Sequence, residues 1–400
     1  MMRILVIGQS YGRGHAATSD LFTDLVEGLA AVGLQVEVLT SAADGAPASL
    51  SVSNGISIHR VSRQSSLWIR RVPAMGRWLS LVSLWLALVS WCLLTRQRFS
   101  HVIVLDTPHL LTLAALVLRW RHQSAAIAWV MDRPLLQIHR LNRPGSLKSR
   151  LGAWLNSLQV ALFRHCDAVV ALGDCMVSTL QHEGVSPGKL VKIRTWDQDD
   201  LPQHSIAATE ARKLAGLPQH FTVMYSGYAG AWHDFNPVIE CVQNLAFDKR
   251  LQFLFVGEGP GIQAVQEWCA ANPGANVIFR PFVAAQQRNN SLCCADLHLV
   301  CLKPSMLGTC SPSKLNPLLG LGRPVLVVAP PGSQIAVDVV KTGSGCCTPS
   351  GPELIAVIRD LLARPEALER MAGCASAAFL EHHCRSKAIG AWLRLIENLA

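Results

Sequence analysis

Three loops in the second half of the chain carry residue types that suit a phosphate-bearing ligand. Gly308-Thr-Cys-Ser-Pro-Ser-Lys314 sets Ser311, Pro312 and Ser313 ahead of Lys314, where a helix is predicted over 314–321. Unpaired N–H groups and the positive end of a helix attract an anion, and an ammonium adds a full charge. The competing assignment is a plain Ser-Pro helix cap with an exposed lysine. Tyr225-Ser-Gly-Tyr-Ala-Gly230 follows a β-rich run, and Gly227 and Gly230 there let backbone approach a ligand. His233 and Asp234 come next, in reach of the same group. Val256-Gly257-Glu258-Gly259-Pro260 ends the following run, and Arg280 ends the one after it. A lone Gly-x-Gly says little; two glycine loops at neighbouring strand ends say more. In the first half, Gln9–Thr18 joins a strand to a helix and contains Gly14, His15 and Ala16, while Asp106 and Asp132 close two further strands. An Asp at a strand end is also a common turn or cap residue. The 13 cysteines give no metal spacing: there is no Cys-x-x-Cys, and Cys293–Cys294 and Cys346–Cys347 are adjacent.

These loops need strands and helices to hold them. Short β-rich runs alternate with longer helical patterns, at 3–8, 35–40, 56–60, 101–105, 126–130, 167–172 and 190–194, and again at 221–226, 251–256, 276–280, 296–302 and 324–328. Helices are predicted between them, among them Ala17–Val32 with Thr18 as its cap, Leu111–Arg119 and Leu151–Cys166. Such alternation implies parallel sheets covered by helices on both faces. The polar run Trp196–Ala208 interrupts it and reads as a linker. The expected fold is α/β: a first Rossmann-like domain over 1–198, a second over 209–364, and terminal helices over 365–400 that cross back to the first. Ligands of such sheets sit at the carboxyl ends of the strands.

The length of 400 residues suits two domains, and 50% hydrophobic with 16% charged residues excludes a disordered chain. A mean hydropathy of +0.27 is too low for a polytopic membrane protein. The net charge is +9, and 60–150 holds 14 Lys or Arg against Asp106 and Asp132 alone, with six of the 11 Trp. Basic residues set among Trp and aliphatics fit an anionic membrane surface better than nucleic acid. The uncharged run 78–95 has arginines on both flanks. Strands before and after it must share one sheet, so the expectation is a helix lying in the interface, ahead of a core helix or a membrane span. The start of the chain lacks the long apolar stretch of a signal peptide. The expected place is therefore the cytoplasm, peripheral on the inner face of the cell membrane.

Read in order, these motifs resemble the family-4 (group 1) glycosyltransferases with the GT-B fold. The branch they resemble most is that of bacterial polysaccharide and O-antigen N-acetyl-fucosamine transferases. The resemblance rests on Ala16-Ala17-Thr18, Trp129-Val-Met-Asp132, Tyr225-Ser-Gly with His233-Asp234, Phe255-Val-Gly-Glu-Gly-Pro260, Ser311-Pro-Ser-Lys314 and Gly322-Arg-Pro-Val325. It implies a nucleotide-diphosphate sugar donor, no metal, no further cofactor and retention of anomeric configuration. It assigns catalysis to Asp132, Lys314 and His233. Donor binding falls to Gly227, Gly230, Asp234, Gly257, Glu258, Gly259, Arg280, Ser311, Pro312, Ser313 and Lys314. Acceptor contacts fall to Gly14, His15, Ala16 and Asp106. The acceptor implied is a lipid-linked or saccharide chain in cell-surface polysaccharide synthesis. The wider family's paired glutamates fall here on Thr309 and Pro317. Two other readings share the fold: a sugar-nucleotide 2-epimerase, and a transferase-like protein that binds nucleotide sugar or scaffolds without catalysis.

Overall fold

The computed structural model describes residues 2–14, 17–42, 49–61 and 73–400, with side chains from Ser80 onward in the last stretch. His15 and Ala16 lie outside the described residues. Two compact units emerge, 1–194 with 389–400, and 195–388. Of the terminal segment 365–400, residues up to 388 belong to the second unit and only 389–400 to the first.

The first unit runs β1 (Arg3–Ile7), α1 (Ala17–Ala31), β2 (Gln35–Ser41), β3 (Ser49–Ser53), β4 (Ile56–Val61), α2 (Pro73–Leu94), β5 (His101–Leu105), α3 (Thr112–His122), β6 (Ala125–Trp129), α4 (Pro134–Leu141), α5 (Leu147–His165), β7 (Ala168–Ala171), α6 (Asp174–His182) and β8 (Leu190–Lys192). Its eight-stranded sheet has the order β3-β4-β2-β1-β5-β6-β7-β8. Every pairing is parallel except the β3–β4 hairpin. Strands β1 and β5 are buried almost throughout, which is why they read as unbroken apolar runs.

The second unit runs α7 (Ala208–Leu214), β9 (Phe221–Ser226), α8 (Asn236–Leu245), β10 (Leu251–Val256), α9 (Pro260–Ala271), β11 (Val277–Arg280), α10 (Arg288–Cys293), β12 (Leu297–Cys301), α11 (Leu315–Gly320), β13 (Val325–Val328), α12 (Gln334–Thr342), β14 (Gly345–Cys347), α13 (Gly351–Ala363) and α14 (Pro365–Ala378). Helix α15 (Arg385–Asn398) starts here and continues into the first unit. In that unit Ile389 fills the space beside Gly28, where an added Cβ would meet it at 2.5 Å, and Trp392 meets Trp129 edge-on at 5.3 Å. The second sheet, β11-β10-β9-β12-β13-β14, is all parallel, with one core on each face.

Several elements differ from the sequence reading. Strands β3 and β14 and helices α4, α7 and α12 are additional, and each is short. Helix α5 starts four residues before the expected Leu151, because Ser146 caps it by accepting from the Ser149 N–H at 3.3 Å. Thr18 lies inside the first turn of α1 rather than at its cap. The interface-helix expectation for 78–95 meets a divided helix. Leu84, Leu88, Val89 and Cys92 of α2 are core, while Val82, Leu86, Leu93 and Leu94 face out. Among the described residues, no helix is long and apolar enough to cross a membrane.

Candidate active site

In a parallel sheet the switch point is where successive connections turn to opposite sides, and the loops there part to leave a crevice. In the second sheet that point lies between β9 and β12. The loops that leave these strands, 227–235 and 302–314, carry His233 and Lys314.

Parallel register brings the two glycine loops together. The Gly227 N–H donates to the Val256 carbonyl at 2.8 Å, Ala229 N–H to Glu258 at 2.8 Å, and Gly257 N–H to Arg280 at 2.9 Å. Gly257 has φ +124°, and a Cβ there would sit 2.5 Å from the Gly227 carbonyl oxygen. Gly259, φ +121°, would place its Cβ 2.8 Å from the Ala229 backbone. Glycine is therefore required for the loops to stack, not only for a turn.

Lys314 lies across this stack. A Cβ on Gly227 would meet its Cε and Nζ, each at 2.5 Å. Its Nζ donates to Tyr225 Oη at 2.8 Å and stands 4.3 Å from the centre of the Tyr225 ring. Tyr225 Oη donates in turn to the Tyr228 carbonyl at 3.0 Å. Lys314 is thus half-buried on a tyrosine, unlike the exposed lysine of a plain cap, and burial pulls its pKa down to about 8. Helix α11 is six residues long and begins after Lys314, so its dipole adds little; the ammonium and the loop N–H groups carry the positive field. Among the described residues, the Ser313 and Lys314 N–H groups have no acceptor.

His233 packs edge-on to Tyr225 at 6.1 Å, and its Nδ1 accepts from the Gly230 N–H at 3.2 Å. That bond leaves the ring proton on Nε2. Burial first, then the charge of Lys314, pushes its pKa down to about 4, so the ring is neutral and offers one N–H. Lys303 also lowers it, and its backbone N–H donates to the Trp232 carbonyl at 2.8 Å, which puts a second lysine beside the His233 loop. Sequence reading passed over Lys303 and Tyr225. Both stand at carboxyl ends of neighbouring strands, β12 and β9, and that position was the available signal.

The remaining donor-side candidates divide. Asp234 Oδ1 accepts from the Asn236 N–H at 3.3 Å and serves the start of α8. Glu258 and Arg280 join the loop stack through their carbonyls and have exposed side chains. Ser311, Pro312 and Ser313 are half-buried ahead of Lys314. At the positions of the paired glutamates, Thr309 is buried and donates to the Met306 carbonyl at 2.8 Å, and Pro317 is buried within α11. Neither offers a carboxylate.

In the first unit the switch point lies between β1 and β5. The loop after β1 is pinned to α1: Gly12 N–H donates to Thr23 Oγ1 at 2.9 Å, Gly14 N–H to Asp20 Oδ1 at 2.8 Å, and Arg13 pairs with Asp24 and Glu27. Asp106, after β5, corrects the acceptor-side assignment. Its carboxylate is buried, accepts from Thr112 Oγ1 at 2.7 Å and from Gln159 Nε2, and ties α3 and α5 to the sheet. Burial pushes its pKa up to about 7. Asp132, between β6 and α4, is open to water yet crowded by protein. The crowding raises its pKa to about 6. It remains an available carboxylate. Among the described residues, no group of three His, Cys, Asp or Glu is placed to hold a metal ion.

Two Rossmann-like units with parallel sheets define the GT-B class of fold. Solved structures sharing it along the whole chain include sucrose-phosphate synthase from Thermosynechococcus elongatus, with TM-score 0.72 and 16% identity, covering 100% of this chain and 99% of that one. Anabaena Alr3699/HepE, solved with UDP and glucose, follows at TM-score 0.67 and 13% identity, covering 99% and 100%. Residues 19–196 match the family described as "Glycosyl transferase 4-like domain". An Escherichia coli (strain K12) protein named "Putative colanic acid biosynthesis glycosyl transferase WcaI" is 26% identical over 207 residues, 50% of each chain. The match thus spans about half the length of that curated relative.

Proposed function

We propose that the chain is a glycosyltransferase: it takes a sugar from a nucleotide diphosphate held by the second unit and passes it to a lipid-linked or saccharide acceptor in polysaccharide assembly. The observation that carries this reading is Lys314, lying on Gly227 beside Tyr225 and near a neutral His233, at the switch point of a parallel sheet. The names of WcaI and HepE's bound UDP support the same chemistry.

A departing nucleotide diphosphate gains negative charge as the glycosidic bond breaks. In this reading Lys314 meets that charge, the His233 Nε2–H donates to the same group or to the sugar, and Lys303 adds to the field. A cation fixed before the reaction stabilises the charged transition state more than the ground state. The exposed carboxylate of Asp132 is the first unit's candidate for an acceptor or sugar hydroxyl. Retention of configuration and the N-acetyl-fucosamine branch belong to this proposal.

The test offers radiolabelled nucleotide sugars to the purified protein with a membrane extract. Transfer of label to lipid or polysaccharide is the expected result. A change of the nucleotide sugar without transfer would mean an epimerase. Nucleotide binding with neither would mean a binding protein or scaffold, which Thr309 and Pro317 at the glutamate positions would then explain.

A further inference from the structure

Helix α5 is amphipathic in the wrong sense for a helix on a soluble protein. Its inner face is polar at Ser149, Asn156 and Gln159 and turns apolar only near its end, at Val160 and Phe163. Ser149 Oγ donates to the His139 carbonyl at 3.1 Å, and Asn156 Oδ1 accepts from Arg133 Nη2 at 2.8 Å while its Nδ2 donates to Glu183 at 3.0 Å. Gln159 donates to the buried Asp106. At Gly152 an added Cβ would lie 3.0 Å from the Leu135 carbonyl oxygen, so α4 and α5 are closely packed. The outer face is apolar: Leu147, Leu151, Trp154 and Leu158 are 83%, 52%, 59% and 40% exposed. Their spacing of 4, 3 and 4 puts them in one stripe about 16 Å long.

We infer that the α4–α5 hairpin is the surface by which this protein docks on an anionic lipid bilayer. Satisfied hydrogen bonds fix the polar side inward, so the helix cannot rotate to hide its leucines. Charge selects the occupant: residues 134–165 contain Arg140, Arg143, Lys148, Arg150 and Arg164 and no Asp or Glu. Leucine and Trp flanked by cations, with no acid, match an interface of acyl chains beneath anionic headgroups. The outer face of α2 is a weaker match: its arginines flank the run 78–95 without any cation inside it, whereas Lys148 and Arg150 of α5 stand between Leu147 and Leu151. The inference deepens the reading of a lipid-linked acceptor, and lipid binding is measured without any donor.

The experiment is co-sedimentation of the full chain with vesicles of phosphatidylethanolamine and phosphatidylglycerol, and with phosphatidylcholine alone. Wild type should bind the anionic vesicles and weaken with salt. Leu151→Ser with Trp154→Ser should reduce partitioning about tenfold or more. Arg140→Gln with Lys148→Gln and Arg150→Gln should reduce it comparably at low salt and flatten the salt dependence. Leu86→Ser with Leu94→Ser on α2 should change it by about twofold or less, since no cation falls within 78–95, whereas Lys148 and Arg150 fall among the α5 leucines. All these side chains are exposed, so melting temperature and nucleotide affinity should stay at the wild-type value. A wild type that ignores anionic lipid would overturn the inference, as would unchanged binding in the α5 variant or loss of binding in the α2 variant. Concentration-dependent dimers that the α5 variant abolishes, without lipid binding, would assign the face to a second copy instead. A wild type that binds anionic vesicles but no nucleotide diphosphate would sink the donor reading and leave this one standing.

Discussion

Replacing Lys314 by Met should make the protein more stable and much less active. Folding moves the ammonium off its ordinary pKa of 10.5 to about 8. At about 1.36 kcal/mol per pKa unit, burial disfavours the charged lysine by about 3 kcal/mol at pH 7. Met gives up the contact with the Tyr225 ring at 4.3 Å and the hydrogen bond to its hydroxyl, about 1 kcal/mol each. That leaves a net cost of about 1 kcal/mol for holding the charge, which Met, with a similar stem, removes. A gain of that size raises the melting temperature of a unit this large by about 2–4 °C. Because the folded pKa lies below the unfolded one, the cost is full below about pH 8 and fades between about 8 and 10.5. The stability gain in the variant should therefore shrink over that window. Turnover should fall by a factor of about 10² or more, the usual loss for one preorganised electrostatic contact. Lys314→Arg should recover only part, since a planar fork does not replace a compact ammonium on the tyrosine. The assays are calorimetric melting, titration with UDP, GDP and ADP, and sugar transfer. Refutation would be a Lys314→Met protein that melts several degrees lower and keeps its nucleotide affinity, for that is how a structural cap behaves.

Nucleotide-diphosphate affinity in the wild type should weaken as pH rises through about 8, where Lys314 loses its proton, and should show no step from His233 between pH 5 and 8; calorimetric titration across pH reads this, and the step should vanish in Lys314→Met. Gly257→Ala should cost stability, about 2–3 kcal/mol, because its Cβ meets backbone at 2.5 Å at a positive φ. Gly227→Ala should cost less stability but at least tenfold in nucleotide affinity, because its Cβ displaces the Lys314 tip; urea midpoints and titration together would expose a reversed order. Asp106 titrates near 7 when folded, above its unfolded value, so it destabilises when ionised. Its contribution should add stability as pH falls from about 7 to 4, and urea midpoints for Asp106→Asn should lack that component.

Local pattern alone determined the strands that face helices on both sides, because a strand buried on both faces is apolar at nearly every position; β1, β5, β10 and β12, each with a single polar residue, read that way without any partner in view. It also determined where the glycine loops fall, since two of them close successive strands. Composition marked 60–150 as basic and rich in Trp, yet composition does not say which helix face looks outward. That direction is tertiary. The polar residues of α5 turn inward because Asp106, Arg133 and Glu183, distant in sequence, converge to meet them, and its leucines are left outside. The same convergence turned Asp106 from a surface candidate into a buried tie, and brought Tyr225, His233 and Lys303 around Lys314. A residue's type is local, but the free energy of burying its charge or hydrogen bonds depends on partners that only the folded chain supplies.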